Sequence, residues 1–203
     1  MIILIKYITY SYLNKIEKFQ DNDYIKAKIY YHIAPTIKQI KPASIVTLTN
    51  EKRDLCNLWD INKEEVLHDL KLDYFKIRED ERSSSIMIYN RDKLEEVIYN
   101  EESLEFLLQY GYNKDMNLNE VLFKLKERFS LACPHEIGLF LGYPIDDVKD
   151  FIDNNKKCLA TGYWKVYNNL PYAKDQFKRF DIARIDVMTE IIKSNKGVKG
   201  YKN

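Results

Sequence analysis

The sequence predicts an α+β fold: a helix-rich single domain around a small three- or four-stranded sheet. Three observations carry that expectation. Apolar residues recur at helical spacing along most of the chain, and a few short stretches alternate apolar and polar residues with the period of a strand. The composition, 45% hydrophobic and 31% charged with only 6 glycines in 203 residues, is that of a globular chain. That length fits one domain and buries a sizeable core without a disulfide or metal to hold it together. The chain is read as an extension over 1–23 packed on the domain, a single α+β domain over 24–193, and a flexible basic tail over 194–203.

The N-terminal stretch "MIILIKYITYSYL" is expected to be an apolar strand or helix, with peripheral membrane contact as the alternative. It lacks a positive leader and a small-residue cleavage site, and it is too short to span a bilayer. "DYIKAKIYYHIAPTIKQIKPAS" predicts a helix stopped by Pro35, a short helical turn and a second break at Pro42. In "SIVTLTN", Val46 and Leu48 alternate with Thr47 and Thr49, which starts the sheet. Helical segments follow around Glu51 to Trp59 and Lys63 to Leu70. "DYFKIREDERSSSIMIYN" reads as a hairpin with a charged turn. Helices are expected from about Asp92, and from Glu101 to a stop at Gly111. "NLNEVLFKLKERF" places Leu118, Val121, Leu122, Leu125 and Phe129 on one face, with Asn117 and Glu120 as a capping pair. A helical hairpin is predicted over 134–153. "GYWKVY" is the last strand, with Trp164 and Val166 on one side and Tyr163, Lys165 and Tyr167 on the other. A long C-terminal helix follows Pro171, with Ala173, Phe177, Phe180, Val187 and Ile191 inside.

The stretch "CPHEIGLFLGYPIDDVKDFI" carries the chemistry worth weighing. Proline suits the first position of a helix, which makes Cys133 the expected N-cap and Glu136 the third helical residue. A sulfur at the positive end of a helix beside His135 ionises more readily, so Cys133 is a candidate nucleophile. His135, or His32 from the far end of the chain, is the candidate base. The alternative is a small buried cysteine at an ordinary helix start. Cys133, His135, Cys158 and His32 also have the donor atoms of a zinc or iron site, but no CxxC pair or HExxH motif brings them together. The same stretch has the outline of a DNA-binding helix-turn-helix, yet its second helix carries Asp146, Asp147, Asp150 and Asp153, which repel phosphate.

Lys41 and Ser44 are candidates for an anion-binding turn, against the alternative of a solvated one. Tyr163, Lys165 and Tyr167 are candidates for a ledge that holds a planar ligand, against an ordinary amphipathic strand. Lys and Arg total 32 against 31 Asp and Glu, so no nucleic-acid partner is expected. Three widely spaced cysteines read as reduced thiols in a cytoplasmic protein.

"YYHIAPTIKQIKPAS", "CPHEIGLFLGYPIDDVKDFI" and "GYWKVY", in that order, resemble an uncharacterised family, a domain of unknown function of clostridia-like anaerobic bacteria. The resemblance spans about Tyr30 to Arg184. It places shared positions on His32, Pro35, Lys41, Pro42, Cys133 to Glu136, Leu141 to Pro144, and Gly162 to Tyr167. It also implies more cysteine before the last strand than this chain has, with Ala160 at one such place, which weakens a cysteine-rich metal or redox site. The family implies no activity. Two readings stand: a thiol-dependent enzyme acting on a small molecule or peptide through Cys133, with Lys41 as anion anchor, and a non-enzymatic module that binds a ligand or a protein. Neither specifies a cofactor or an oligomeric state.

Overall fold

Strand alternation here produces a sheet buried on both faces. The computed structural model describes residues 2–50, 52–194 and 198. Strands β1 (Ala43–Thr49), β2 (Asp73–Glu79) and β3 (Ser83–Tyr89) form an antiparallel sheet in the order β1-β3-β2. Val46 lies opposite Ile86, and Phe75 opposite Met87. Val46, Leu48, Ile86 and Ile88 point to one core, shared with α1 (Ile2–Ile16), α2 (Asp21–Ile37), α3 (Leu55–Leu67) and the long α9 (Leu170–Lys193). Ile77, Met87 and Tyr89 point to the other. That core is closed by α4 (Arg91–Ile98), α5 (Glu101–Leu108), α6 (Leu118–Leu131), α7 (Ile137–Phe140) and α8 (Ile145–Asp153). The two faces follow from the period of two along each strand.

The remaining strands, β4 (Ala160–Thr161) and β5 (Lys165–Val166), make a separate two-residue hairpin on the start of α9. "GYWKVY" therefore belongs to this hairpin and not to the main sheet. Its alternation also breaks: Tyr167 is buried like Trp164 and Val166, because its backbone is drawn inward by a hydrogen bond to Asp147.

Two expectations about helices are corrected. Pro35 does not stop α2, which runs on to Ile37. The proline lies in the last turn, where the N–H it lacks costs a single bond. Its carbonyl accepts from Ile40 and Lys41 at 2.8 and 3.2 Å, so the chain closes over it. Likewise, α3 is one helix and not two. Ile61 is exposed and Asn62 is buried, donating to the Leu58 carbonyl at 2.7 Å, so the apolar periodicity lapses where the helix does not.

At the N-terminus, α1 settles the choice between strand and helix. Its Tyr12 hydroxyl donates to the Ala27 carbonyl, and its Lys15 donates to the carbonyls of Ile192 and Ser194 at the end of α9. Of the expected basic tail, only Ser194 and Val198 fall within the described residues. No helix among the described residues is long and apolar enough to cross a membrane.

The predicted capping pair of α6 forms in full: Glu120 N–H donates to the Asn117 side chain at 3.2 Å, and Asn117 N–H donates to the Glu120 carboxylate at 2.7 Å. Asn117→Ala should lower stability by about 1 kcal/mol while Asn117→Ser stays within a few tenths, as read from urea denaturation midpoints.

Candidate functional site

Between α6 and α7, alternate side chains of the Cys-Pro-His-Glu turn face opposite ways. Cys133 and His135 are exposed, whereas Pro134 is buried and Glu136 is wholly so. The Glu136 carboxylate takes a bidentate pair of hydrogen bonds from the Arg128 guanidinium, and a longer one from the Tyr112 hydroxyl. A buried carboxylate needs such partners, and they pin the turn to α6. Three successive bonds then wind the chain upward: Ile137 N–H to Pro134, Gly138 to His135 and Leu139 to Glu136.

This geometry corrects the expected cap. The short helix opens at Ile137 with Glu136 at the flanking position, so Cys133 stands three residues ahead of it. The Glu136 side chain reaches Arg128 instead of closing a capping box. A helix of four residues has almost no aligned peptide dipoles to favour a thiolate. Any reactivity of Cys133 rests on its exposure and its neighbours.

Those neighbours line a cavity of about 390 Å³ between the α7–α8 hairpin and the β4–β5 hairpin. Buried Trp164 and half-buried Tyr143 stack at 5.1 Å, and Ile137, Gly138 and Val148 complete the apolar wall. Exposed Cys133, His135, Phe151 and Lys165 form its rim. The Phe151 ring meets the His135 ring edge-on at 5.0 Å, and the Lys165 ammonium lies 5.2 Å from its centroid. The rim thus offers two basic side chains above an aromatic interior.

Asp147 holds these walls together. Its carboxylate is 3% exposed and accepts from Trp164 Nε1 at 2.7 Å, from Tyr167 N–H and Asn168 N–H at 2.9 Å, and from Asn168 Nδ2 at 3.1 Å. In the sequence Asp147 stands out only as one of four aspartates whose charge argues against a DNA-binding second helix. The missed signal is positional: Asp147 adjoins Val148 on the inner side of α8, where an acid calls for partners.

Two glycines set the close approaches. Gly142 has φ +76°, and a Cβ there would lie 2.5 Å from Pro42 Cδ. A Cβ on Gly162 would lie 2.1 Å from the Phe177 ring. Pro42 of "IKPAS" thus meets "LGYP", the Tyr143–Trp164 stack joins "LGYP" to "GYWKVY", and the Lys41 ammonium stands 5.4 Å from the Tyr143 centroid and 5.6 Å from that of Phe180. Burial, reinforced by Arg184, lowers the Lys41 pKa to about 8.

The remaining candidates are placed elsewhere. His32 sits half-buried on α2, edge-on to Tyr31 at 5.3 Å and outside the cavity lining. Burial first, then Arg184 and Lys28, lower its pKa to about 4. Ser44 is buried and shares a 2.8 Å hydrogen bond with Thr36, so it does not form an open turn with Lys41. Tyr163 faces α9, donating to Asp181 at 2.6 Å and accepting from Arg184 at 3.2 Å; burial and that carboxylate raise its pKa. With Tyr167 buried as well, only Lys165 of the expected ledge borders the cavity. Cys158 donates to the Ala160 carbonyl within the hairpin. No three His, Cys, Asp or Glu side chains among the described residues are grouped as a metal site requires.

Residues 29–199 match the model of a family described as Protein of unknown function (DUF3793). No curated protein and no solved structure matches the chain.

The displacement at His32 has a readable consequence. The unfolded side chain takes its proton near 6.5 and the folded one only near 4, so between those values the unfolded state binds more protons. Stability therefore falls as pH drops through this window. Urea denaturation from pH 7.5 to 4 should show His32→Gln losing less than wild type, by on the order of 2 kcal/mol after allowance for partial exposure.

Proposed function

The chain belongs to this family, whose description assigns no activity, and we propose from the geometry that the cavity beside Trp164 binds a small ligand with a flat apolar body and an acidic edge. One observation carries the reading: an apolar cavity of about 390 Å³ with a stacked Tyr143–Trp164 pair inside and Lys165 and His135 on its rim. That size lies in the range of small-molecule sites, and a few polar groups around an apolar interior is their usual chemistry. The aromatic wall takes the body of the ligand by burial and stacking, and the basic rim orients its charge.

Fluorescence tests this directly, because the only other tryptophan, Trp59, is buried in the opposite core. In a Trp59→Phe background, the anionic dye 1-anilinonaphthalene-8-sulfonate should gain emission saturably while Trp164 is quenched. Ile137→Phe, which fills the cavity, should weaken the dye by about tenfold. Lys165→Met should weaken it by only about threefold, as expected for a solvated charge. Dye emission that ignores the protein, or that is equal in wild type and Ile137→Phe, removes this reading.

A second reading, thiol chemistry at Cys133, is favoured by the exposed sulfur sharing the rim with His135. It ranks below binding because Cys133 has no hydrogen bond to an imidazole among the described residues, and α7 is a single turn. Iodoacetamide labelling between pH 6 and 9 separates the two. The binding reading expects Cys133 to follow free cysteine, and Cys133→Ser to leave dye affinity within about twofold. Labelling well above the free-thiol rate at neutral pH would establish a nucleophile instead.

A further inference from the structure

Against α9, the cations Lys41 and Arg184 have no carboxylate partner among the described residues. Lys41 is 8% exposed, and its ammonium has no hydrogen-bond or ion-pair partner among the described residues; what it meets are the faces of Tyr143 and Phe180. Arg184, on α9, stands over the rings of Tyr31 at 5.4 Å and Tyr163 at 4.9 Å. Its Nη1 donates to the Tyr163 hydroxyl, while its buried Nε has no acceptor among the described residues. The nearby carboxylate, Asp181, is already engaged by Tyr163 at 2.6 Å. Half-buried His32 adjoins the same group on α2, next to Tyr31.

A purely structural guanidinium in this chain is treated differently. Arg128, also partly buried, is met by the carboxylate of Glu136 in a bidentate pair. Aromatic faces offset only part of the desolvation of a cation, and an orphaned buried N–H is costly. The two like charges also share one aromatic cluster, since the Phe180 ring under Lys41 and the Tyr163 ring under Arg184 meet edge-on at 5.0 Å. Such an arrangement is unfavourable until something negative enters it.

We infer that Lys41 and Arg184, with His32 beside them, form a site for the oxyanion group of a small acidic ligand, a phosphate or a carboxylate. The ammonium supplies a compact charge with three donors. The guanidinium supplies a planar fork whose Nε is free, the arrangement that pairs with two oxygens of one anion. Half-exposed Arg184, His32 and Tyr31 mark the approach along the α2–α9 seam. None of Lys41, Arg184 and His32 lines the cavity, Tyr143 alone being shared between the two places, and the site does not rest on the ligand proposed there.

Isothermal titration of the full chain with inorganic phosphate, sulfate and acetate, at constant ionic strength in a buffer free of these anions, tests it. Saturable binding at one site is expected, weakened by about tenfold or more in both Lys41→Met and Arg184→Gln. Preference for phosphate and sulfate assigns a phosphate-type ligand, and preference for acetate a carboxylate; either supports the site. Methionine matches the lysine stem and removes a buried charge, so Lys41→Met decides the matter even if Arg184→Gln fails to fold. Absence of saturable binding of all three anions to wild type, or equal affinities in wild type and folded variants, overturns the inference. Dye binding at the cavity is scored independently, so failure of one site is not failure of the other.

Discussion

The Asp147 carboxylate is the contact on which the site geometry depends. Four donors, three of them from Tyr167 and Asn168 and one from the Trp164 indole, converge on a group that is nearly sealed from water. A charge in that position is tolerable only while its partners stay in place, and removing partners from such a group typically costs about 3–5 kcal/mol. The bonds span 17 to 21 residues of sequence, tying α8 to a hairpin with only two paired residues per strand. So short a hairpin is marginal by itself. Clamped by Asp147 and laid against Phe177 and Phe180, it holds Trp164 on Tyr143 and Lys165 above the cavity.

Glu136 does the corresponding work on the opposite wall. Its pair with Arg128 fixes a turn that would otherwise be loosely held, and the same turn shows Cys133 and His135 to solvent. Buried acids thus secure both walls, Asp147 tying the short β4–β5 hairpin to α8 and Glu136 tying the turn before α7 to α6. Such places suit ligand binding, since side chains of limited intrinsic order are positioned by a rigid surround.

Several parts of the fold were legible because their signals are local. The stripe of Leu118, Val121, Leu122 and Leu125 with its Asn117–Glu120 cap, the β2–β3 hairpin and the inner face of α9 all depend on residues within a few positions of each other. Misreadings came where a local rule was overridden. Pro35 is accommodated because later N–H groups use its carbonyl, and α3 continues because Asn62 bonds within it while Ile61 faces water. The anion-binding turn expected at Ser44 and the outward face expected of Tyr167 by strand alternation both give way, because Ser44 bonds Thr36 and Tyr167 is drawn inward at Asp147.

For the candidate site, what the sequence by itself determined is a short set of segments to compare: "CPHEIGLFLGYP" and "GYWKVY" supply most of the cavity lining, including Cys133, His135 and Lys165, and "IKPAS" supplies Lys41 beside it. Only the tertiary structure decided how those groups are divided. It set Cys133, His135 and Lys165 around one apolar cavity, and joined Lys41, Arg184 and His32 through the rings of Phe180, Tyr163 and Tyr31. The physical reason is range: helical and strand periodicity record which side of an element is buried, whereas the approach of Gly142 to Pro42, or of Trp164 to Asp147, joins residues distant along the chain through packing and charge that no local pattern encodes.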